Sequence, residues 1–348
     1  RIFSSSGTTG VPKFAAVSHA MMLERVYLRS LVARVPAQPR VTCSISGGTN
    51  IGFGTFLQAL WQRGSVVLMS QQDNVGAVLE RHRPNVLVTA PVTLQQLVAM
   101  IPAIAGPMRG LETVIAAGSA LSDGLYDIAR QRLCPYIVSL YGSVEAGAIA
   151  SAPKNVLYQR AGAAGYVLPG LEMQAVNEQG EALRAGEEGL IRIRGATCIE
   201  GYFGDPASSA SVFRDGWFYP GDTGSISADG LLTLGARASE VINSGGNKIS
   251  PQVIEELLMS VPGIRDAAAF GLADPMGVTR VWAAIATYDN APPDHNALDA
   301  KCRQHLAAAG PSMFIQVPQI PRNENGKILR DELRRIATAA MQRQRQVH

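Results

Sequence analysis

The sequence is poor in charge and in long apolar runs, and each shortage excludes a class of protein. Charged residues make up only 17% of its 348 residues and hydrophobic ones 47%, a balance that excludes a disordered chain. The formal net charge of +3 provides no general basic surface for nucleic acid. No uncharged apolar run reaches the roughly 18 residues that a membrane-spanning helix needs. We therefore expect a soluble, folded protein with no membrane span and no nucleic-acid partner.

Cysteine and histidine are also scarce. The four cysteines, at positions 43, 134, 198 and 302, form no C-x-x-C pair, and the five histidines show no metal-ligand spacing. This scatter argues against a zinc site and predicts a reducing, cytoplasmic environment. The chain begins at Arg1 rather than Met and enters a strand at once, so we expect a segment upstream of it.

The length predicts about two domains, at roughly 150 residues per domain. Short strands alternate with helices up to about residue 160, which predicts an α/β fold with a mostly parallel sheet. Glycine-punctuated short strands follow to about residue 235 and predict a β-rich subdomain. We therefore predict a large N-terminal domain over residues 1–236 and a small C-terminal α+β domain over 237–348.

Individual elements follow from local signals. The predicted strands are Val41–Ser46, Ser65–Leu68, Asn85–Thr89, Thr113–Ala116, Ile137–Leu140, Gly189–Gly195, Ala267–Leu272 and Val281–Tyr288. The predicted helices are one capped by Ser18, Phe56–Gln62, Pro91–Met100, and further ones from Pro251, Leu298 and Arg330.

A loop rich in glycine and hydroxyl groups, S-S-S-G-T-T-G-V-P-K from Ser4 to Lys13, follows the first strand. Glycines let backbone amides turn toward an anion, hydroxyls donate hydrogen bonds, and Lys13 adds a positive charge, so the loop suits a polyphosphate. A flexible surface turn would have the same composition. The Walker A pattern fails, because Pro12 stands where that motif needs glycine and Phe14 where it needs a hydroxyl. No serine stands in a G-x-S-x-G nucleophile elbow.

The loop closely resembles the phosphate loop of the adenylate-forming superfamily, which comprises acyl-CoA synthetases, adenylation domains of peptide synthetases, and luciferases. Four later segments resemble that superfamily's motifs in the same order: Tyr141–Glu145, Asp215–Asp222, Arg237–Gly246 and Pro321–Arg330. The five motifs are distributed along nearly the whole chain, which makes a chance resemblance improbable.

The resemblance implies binding of ATP or AMP, Mg²⁺ and CoA, and a role for each matching residue. Lys327 would stabilise charge during adenylate formation, Glu145 would bind the metal, and Thr8 and Lys13 would assist at the phosphates. Tyr141 would lie against adenine and Asp222 would accept the ribose hydroxyls. The implied nucleotide and CoA contacts are Ser5, Ser6, Gly7, Thr8, Thr9, Gly10, Lys13, Gly118, Ser119, Ala120, Tyr141, Gly142, Ser143, Asp222, Arg237, Gly245, Gly246 and Lys327.

The match has departures. The resemblance implies a mobile small domain that turns about a hinge near Arg237. Ser239 stands at the hinge position that usually holds Asp or Lys, and Glu240 where the pattern has Asp. Pro220 replaces the threonine shortly before Asp222. The acid-binding region, Ile45–Gly54, contains no charge, which suggests an acid with an uncharged acyl or aryl tail.

The resemblance therefore implies an AMP-forming acid–CoA ligase that makes an acyl-AMP and passes the acyl group to the CoA thiol. A free-standing enzyme that loads the pantetheine thiol of a carrier protein is an alternative. A truncated relative that binds a nucleotide or a partner without turnover is a second. The acid and the oligomeric state are not readable from the sequence.

Overall fold

The computed structural model describes residues 1–5, 13–70, 73–101, 106–237, 240, 242–244, 247–273, 278–306, 310–323 and 326–346. Of Ser5 and Arg237 it describes the backbone alone. The chain divides into two compact units, of which the first contains Arg1–Gly235 and the second Ala236–Asn323 and Lys327–His348. The first unit carries a large mixed sheet with helices and the second a small sheet with helices, so the predicted fold class is confirmed. No helix among the described residues is long and apolar enough to cross a membrane.

The first unit contains fifteen strands and six helices among its described residues. The strands are β1 (Ile2–Ser5), β2 (Lys13–Ala16), β3 (Arg40–Cys43), β4 (Ser65–Val67), β5 (Val86–Thr89), β6 (Thr113–Ala117), β7 (Ile137–Ser143), β8 (Gly147–Pro153), β9 (Ala163–Val167), β10 (Leu171–Val176), β11 (Gly189–Gly195), β12 (Phe213–Arg214), β13 (Trp217–Phe218), β14 (Asp222–Ile226) and β15 (Leu231–Arg237). The helices are α1 (His19–Val32), α2 (Asn50–Trp61), α3 (Val75–His82), α4 (Pro91–Met100), α5 (Asp123–Arg132) and α6 (Pro206–Val212).

The main sheet joins β3–β15 in the order β12-β13-β11-β14-β15-β9-β8-β7-β6-β5-β3-β4, with β10 beside β11. Strands β4, β3, β5, β6 and β7 run parallel. Successive residues of these strands are buried on opposite faces of the sheet. In β5, for example, Val86 and Val88 pack in one core and Leu87 in another. Parallel strands covered on both faces read as continuous apolar runs, which is why the sequence signalled them.

Helix bounds follow from their caps. The side chain of Ser18 accepts a hydrogen bond from the Met21 amide at the start of α1, as predicted. Pro91 occupies the first turn of α4, where its missing amide hydrogen costs nothing. Helix α2 begins at Asn50, six residues before the predicted start, because Thr49 caps it by accepting from the Gly52 amide at 3.1 Å.

The second unit contains a hairpin, a three-stranded sheet and three α-helices among its described residues. Its elements are β16 (Ile242–Ser244), β17 (Asn247–Ile249), α7 (Pro251–Met259), β18 (Ile264–Ala273), β19 (Thr279–Thr287), a 3-10 turn (Tyr288–Asn290), α8 (His295–Leu306), β20 (Met313–Gln316) and α9 (Arg330–Gln346). Strand β19 lies between β18, which is antiparallel to it, and β20, which is parallel. Helix α8 begins three residues before the predicted Leu298.

Candidate active site

Two predicted nucleotide contacts meet at the carboxyl edge of the parallel strands. Ala117, the last residue of β6, pairs with Leu140 in β7, so the next residues, Gly118 and Tyr141, lie side by side at this edge, where Tyr141 still pairs with Ala150 of β8. Gly118 has a φ of +98°, a conformation that glycine adopts without strain. Gly118 is exposed, as are the Ser119 and Ala120 that follow it, and they can border a ligand at this edge.

Tyr141 and Asp222 come from motifs 81 residues apart and are joined directly. The phenol of Tyr141 donates a hydrogen bond to Oδ2 of Asp222. Asp222 begins β14 and is only 5% exposed, while Tyr141 is half-buried. The two residues predicted to contact adenine and ribose thus form one hydrogen-bonded pair.

Glu145 occupies the tight turn between β7 and β8 and is 7% exposed. Its Oε1 accepts a hydrogen bond from the Tyr202 phenol at 2.8 Å. From the part of the chain that the structure describes, no hydrogen bond reaches its other carboxylate oxygen. The hydroxyl of Ser143 in the same turn accepts from the Ala146 amide at 3.1 Å, so it tightens the backbone beneath the carboxylate.

This single carboxylate fits Mg²⁺ better than it fits a transition metal. No group of three or more His, Cys, Asp or Glu side chains among the described residues could hold an ion alone. Mg²⁺ is typically held by one or two carboxylates, by phosphate oxygens and by several waters, so one protein ligand is enough. The donor set around Glu145 therefore suits a magnesium–nucleotide complex.

A buried arginine that the motifs did not single out fixes the backbone at Glu145. Arg25, on α1, donates to the carbonyl of Glu145 at 2.8 Å, to that of Val144 at 3.1 Å and twice to that of Thr197. It also donates to the Asn50 side chain at 3.0 Å, in the first turn of α2. Burial lowers its pKa to about 10, so the guanidinium stays charged at neutral pH. One side chain thus ties together α1, the start of α2 and the predicted metal site.

Lys13 begins β2, and its backbone pairs with that of Ser5 across the β1–β2 hairpin. Its ammonium lies 5.2 Å from the ring centroid of Tyr202, within the range of a cation–π contact. Tyr202 therefore contacts both Lys13 and Glu145.

Several predicted contacts lie outside the described residues. These are Ser6, Gly7, Thr8, Thr9 and Gly10 of the phosphate loop, and Gly245 and Gly246 of the implied nucleotide and CoA contacts. The side chains of Ser5 and Arg237 lie outside as well, whereas Gly142 is described and lies exposed beside Tyr141.

The predicted acid-binding region carries no charge of its own, but a buried cation lies against it. Arg29, on α1, donates to Oε1 of Gln58 at 2.6 Å and to the carbonyl of Gly54 in α2. Burial lowers the pKa of Arg29 to about 10. The sequence of Ile45–Gly54 did not reveal this charge, because it comes from a different helix.

In the second unit, Lys327 belongs to a compact ionic network. Its ammonium lies 3.1 Å from Oε1 of Glu240, whose other oxygen lies 2.7 Å from a guanidinium nitrogen of Arg330. Arg330 also pairs with Glu255 at 2.6 Å. Burial raises the pKa of Glu255, and the charge of Arg330 opposes that rise. The Lys327 amide donates to the Asn323 side chain at 2.9 Å, which fixes the backbone of the lysine.

Sequence reasoning missed Arg25 and Tyr202. The signal available for Arg25 was its position on the face of α1 that also carries Met22 and Arg29, all of them buried. A charged residue on a helix face that packs into the core has to find a partner inside the protein. Tyr202 carried no comparable local signal, since its two partners lie far away in the sequence.

Two protein-family models match the chain. A model of the AMP-binding enzyme family matches residues 2–203, and a model of the AMP-binding enzyme C-terminal domain matches residues 253–327. An indoleacetate–CoA ligase from Aromatoleum aromaticum is 28% identical over 95% of this chain and 66% of its own length. A 2-succinylbenzoate–CoA ligase from Bacillus licheniformis is 30% identical over 95% of this chain and 69% of its own. The chain thus spans about two thirds of the length of these relatives.

Solved structures of adenylate-forming enzymes superpose on most of the chain. The amide bond synthetase McbA from Marinactinospora thermotolerans superposes with a TM-score of 0.84 and 27% identity, over 96% of this chain and 68% of its own. The o-succinylbenzoate CoA synthetase of Bacillus subtilis, solved with AMP, superposes with a TM-score of 0.82 over 95% of this chain and 68% of its own. Its 23% identity shows a shared fold alone. The matched family models, which cover most of the sequence, show that the chain belongs to the AMP-binding enzyme family of the adenylate-forming superfamily.

Proposed function

We propose that the protein is an ATP-dependent acid:thiol ligase that activates a carboxylic acid as its acyl-AMP and transfers the acyl group to CoA. The observation that carries the proposal is the hydrogen-bonded pair Tyr141–Asp222. Tyr141 lies in β7, and Glu145 lies in the turn that follows this strand. The relatives named as CoA ligases support the choice of acceptor.

In the first half-reaction, a substrate carboxylate attacks the α-phosphorus of ATP and pyrophosphate leaves with the bond electrons. Two anions approach each other in this step, so the site has to neutralise phosphate charge. Asp222 would hold the ribose, Tyr141 would lie against adenine, and Lys13 would face the phosphates with the loop of Thr8 and its neighbours. Mg²⁺ held by Glu145 would supply positive charge at the phosphate oxygens.

Lys327 would stabilise charge between the attacking carboxylate and the α-phosphate. We propose that the small domain, residues 237–348, turns about a hinge near Arg237 to deliver this ammonium and then exposes other groups for the thiol step. In that second step the CoA sulfur attacks the acyl carbonyl, the thiol proton is lost, and AMP leaves. Gly245 and Gly246 would leave room for the pantetheine arm.

We propose an uncharged acyl or aryl tail for the acid. The segment Ile45–Gly54 has no charged side chain, and the guanidinium of Arg29 is already engaged by Gln58 and Gly54. A second carboxylate on the substrate would therefore have to compete with existing hydrogen bonds. We retain the cytoplasm as the place of action, since all four cysteines are free thiols.

The test is AMP release measured with a panel of aryl, fatty and dicarboxylic acids, with and without CoA. The proposal expects acid-dependent pyrophosphate exchange and AMP release that needs CoA. AMP release that needs a carrier protein instead would favour the loading enzyme. Release that needs an amine would favour an amide-forming enzyme, a candidate suggested by the likeness to McbA. Nucleotide binding without exchange for any acid would favour the non-catalytic relative.

A further inference from the structure

The segment Ile199–Phe203 connects the turn of Glu145, the predicted metal ligand, with β2, the strand that follows the phosphate loop. The amide of Ile199 donates to the carbonyl of Glu145 at 2.9 Å, and the amide of Phe203 donates to the carbonyl of Phe14 at 2.7 Å. Tyr202 stands between these two anchors. The segment is therefore fixed to the turn that carries Glu145 at one end and to β2 at the other.

The Tyr202 side chain is itself held in place. Its ring packs edge-on against Phe213, with ring centroids 5.5 Å apart. The backbone amide of Tyr202 donates to the Ser209 hydroxyl at 2.8 Å. Its phenol reaches Oε1 of Glu145, and its ring lies beside the ammonium of Lys13. A ring fixed on several sides can hold its two polar neighbours in a set geometry.

We propose that Tyr202 is a positioning residue that orients the carboxylate of Glu145 for Mg²⁺ and holds Lys13 for the phosphates. The inference rests on the proposed function, because it takes Glu145 as the metal ligand. By donating to one carboxylate oxygen, the phenol restrains the rotamer of Glu145 and would leave the other oxygen for the metal. Hydrogen bonds to metal-binding carboxylates commonly contribute 10- to 100-fold to metal affinity.

Two substitutions of Tyr202 distinguish its hydrogen bond to Glu145 from its ring contact with Lys13. Tyr202→Phe removes the hydroxyl and keeps the ring beside Lys13, whereas Tyr202→Leu removes both. Tyr158→Phe is the matched control, since the Tyr158 phenol donates to a carboxylate, that of Asp127 at 2.7 Å, in the same unit but outside the site. Glu145→Gln reports on the metal ligand itself.

Mn²⁺ binding, followed by electron paramagnetic resonance in the presence of α,β-methylene-ATP, measures metal affinity without turnover. We expect Tyr202→Phe to weaken Mn²⁺ binding by about 10-fold and to leave the affinity for the analogue at saturating Mn²⁺ within about 2-fold. Tyr202→Leu should weaken both, the nucleotide by about 2- to 5-fold through the lost cation–π contact. Tyr158→Phe should leave both unchanged.

The possible failures are distinguishable. Wild-type Mn²⁺ affinity in Tyr202→Phe, with weakened binding in Glu145→Gln, would overturn the role of Tyr202 and leave the proposed function intact. Wild-type affinity in Glu145→Gln as well would overturn the metal assignment on which both depend. Circular dichroism checks that each variant is folded, and if Tyr202→Leu is not, Tyr202→Phe decides the inference alone.

Discussion

The ammonium of Lys327 lies 3.1 Å from Oε1 of Glu240, a residue that follows the predicted hinge at Arg237 by three positions. The pair is only partly exposed, with 28% of the lysine side chain and 19% of the glutamate side chain accessible. Within the second unit, the lysine proposed for catalysis thus has a defined resting partner. Because Arg330 also contacts Glu240, this carboxylate would keep a cation if Lys327 moved to the proposed reaction site.

Replacement of Lys327 by alanine should slow adenylate formation by about 100-fold or more, the order seen when one electrostatic donor is removed from an active site. Thioester formation from a supplied acyl-adenylate should survive, because the lysine is proposed to act only in the first half-reaction. Pyrophosphate exchange and single-turnover thioester assays measure the two steps. Lys301→Ala, in α8, is the control, and equal losses in both steps for Lys327→Ala would contradict the assignment.

Replacement of Glu240 by glutamine should destabilise the second unit by about 1–3 kcal/mol, since two charge-assisted contacts, to Lys327 and Arg330, are weakened together. Urea denaturation measures the change. Asp299→Asn removes an exposed pair with Arg303 at 3.8 Å and should change stability by at most about 0.5 kcal/mol. If Glu240→Gln behaved like this control, the network would contribute nothing to stability.

Replacement of Arg25 by lysine should cost about 2–4 kcal/mol of stability, because an ammonium cannot reproduce the forked contacts to Val144, Glu145 and Thr197. The carbonyl oxygens of Val144 and Thr197 would lose the guanidinium as a donor, whereas that of Glu145 would keep the Ile199 amide. The midpoint of urea unfolding measures this effect. Arg130→Lys, which alters an exposed contact with Asp127, should change it little, and an equally small change in Arg25→Lys would refute the structural role.

Replacement of Gly142 by alanine should weaken nucleotide binding at least about 10-fold, because overpacking displaces neighbouring backbone. A Cβ at Gly142 would lie 2.4 Å from the carbonyl oxygen of Gly147 across the β7–β8 hairpin, so the strands would have to part between Tyr141 and Glu145. Isothermal titration with ATP measures the loss. In Gly124→Ala the new Cβ meets no atom within 4 Å, and this substitution in α5 should leave binding unchanged and raise stability slightly. Full ATP affinity in Gly142→Ala would show that the hairpin tolerates the methyl group.

The cysteines should react slowly with iodoacetamide in the native protein. Burial raises the pKa of Cys43 and of Cys198 to about 11, and it raises the pKa of Cys134 and Cys302 as well. Since the thiolate is the reactive form, alkylation should be slow at pH 7.5 and should accelerate as the pH rises toward 11. Mass spectrometry with and without urea measures it, and rapid native alkylation of Cys198 at pH 7.5 would contradict the raised pKa.

Elements with strong local signals could be predicted from the sequence to the residue. Helix α4 runs from Pro91 to Met100 and β11 from Gly189 to Gly195, as expected, because a first-turn proline and flanking glycines mark their ends. The start of α2 could not be predicted, since Gly52 and Gly54 are poor helix formers. A Cβ at Gly52 would lie 2.2 Å from the Ser46 carbonyl oxygen, so tertiary packing requires glycine there.

The candidate site was predictable only where side chains form motifs. Tyr141 and Asp222 each stood in a recognisable segment, and the structure joins them. Arg25 was not predictable as a site residue, because its main partners are backbone carbonyls, which every residue carries. The contact between Tyr202 and Glu145 likewise spans 57 residues and depends on the folded course of the chain.

The guanidinium of Arg25 donates hydrogen bonds both to the Asn50 side chain, at the start of α2, and to the backbone carbonyl of Glu145. Protein interiors are packed as densely as organic crystals and yield little to pressure. A bulky acid that pushes the first turn of α2 outward would therefore displace Glu145, the proposed magnesium ligand, so a poor fit of the acyl group would slow the proposed reaction at phosphorus.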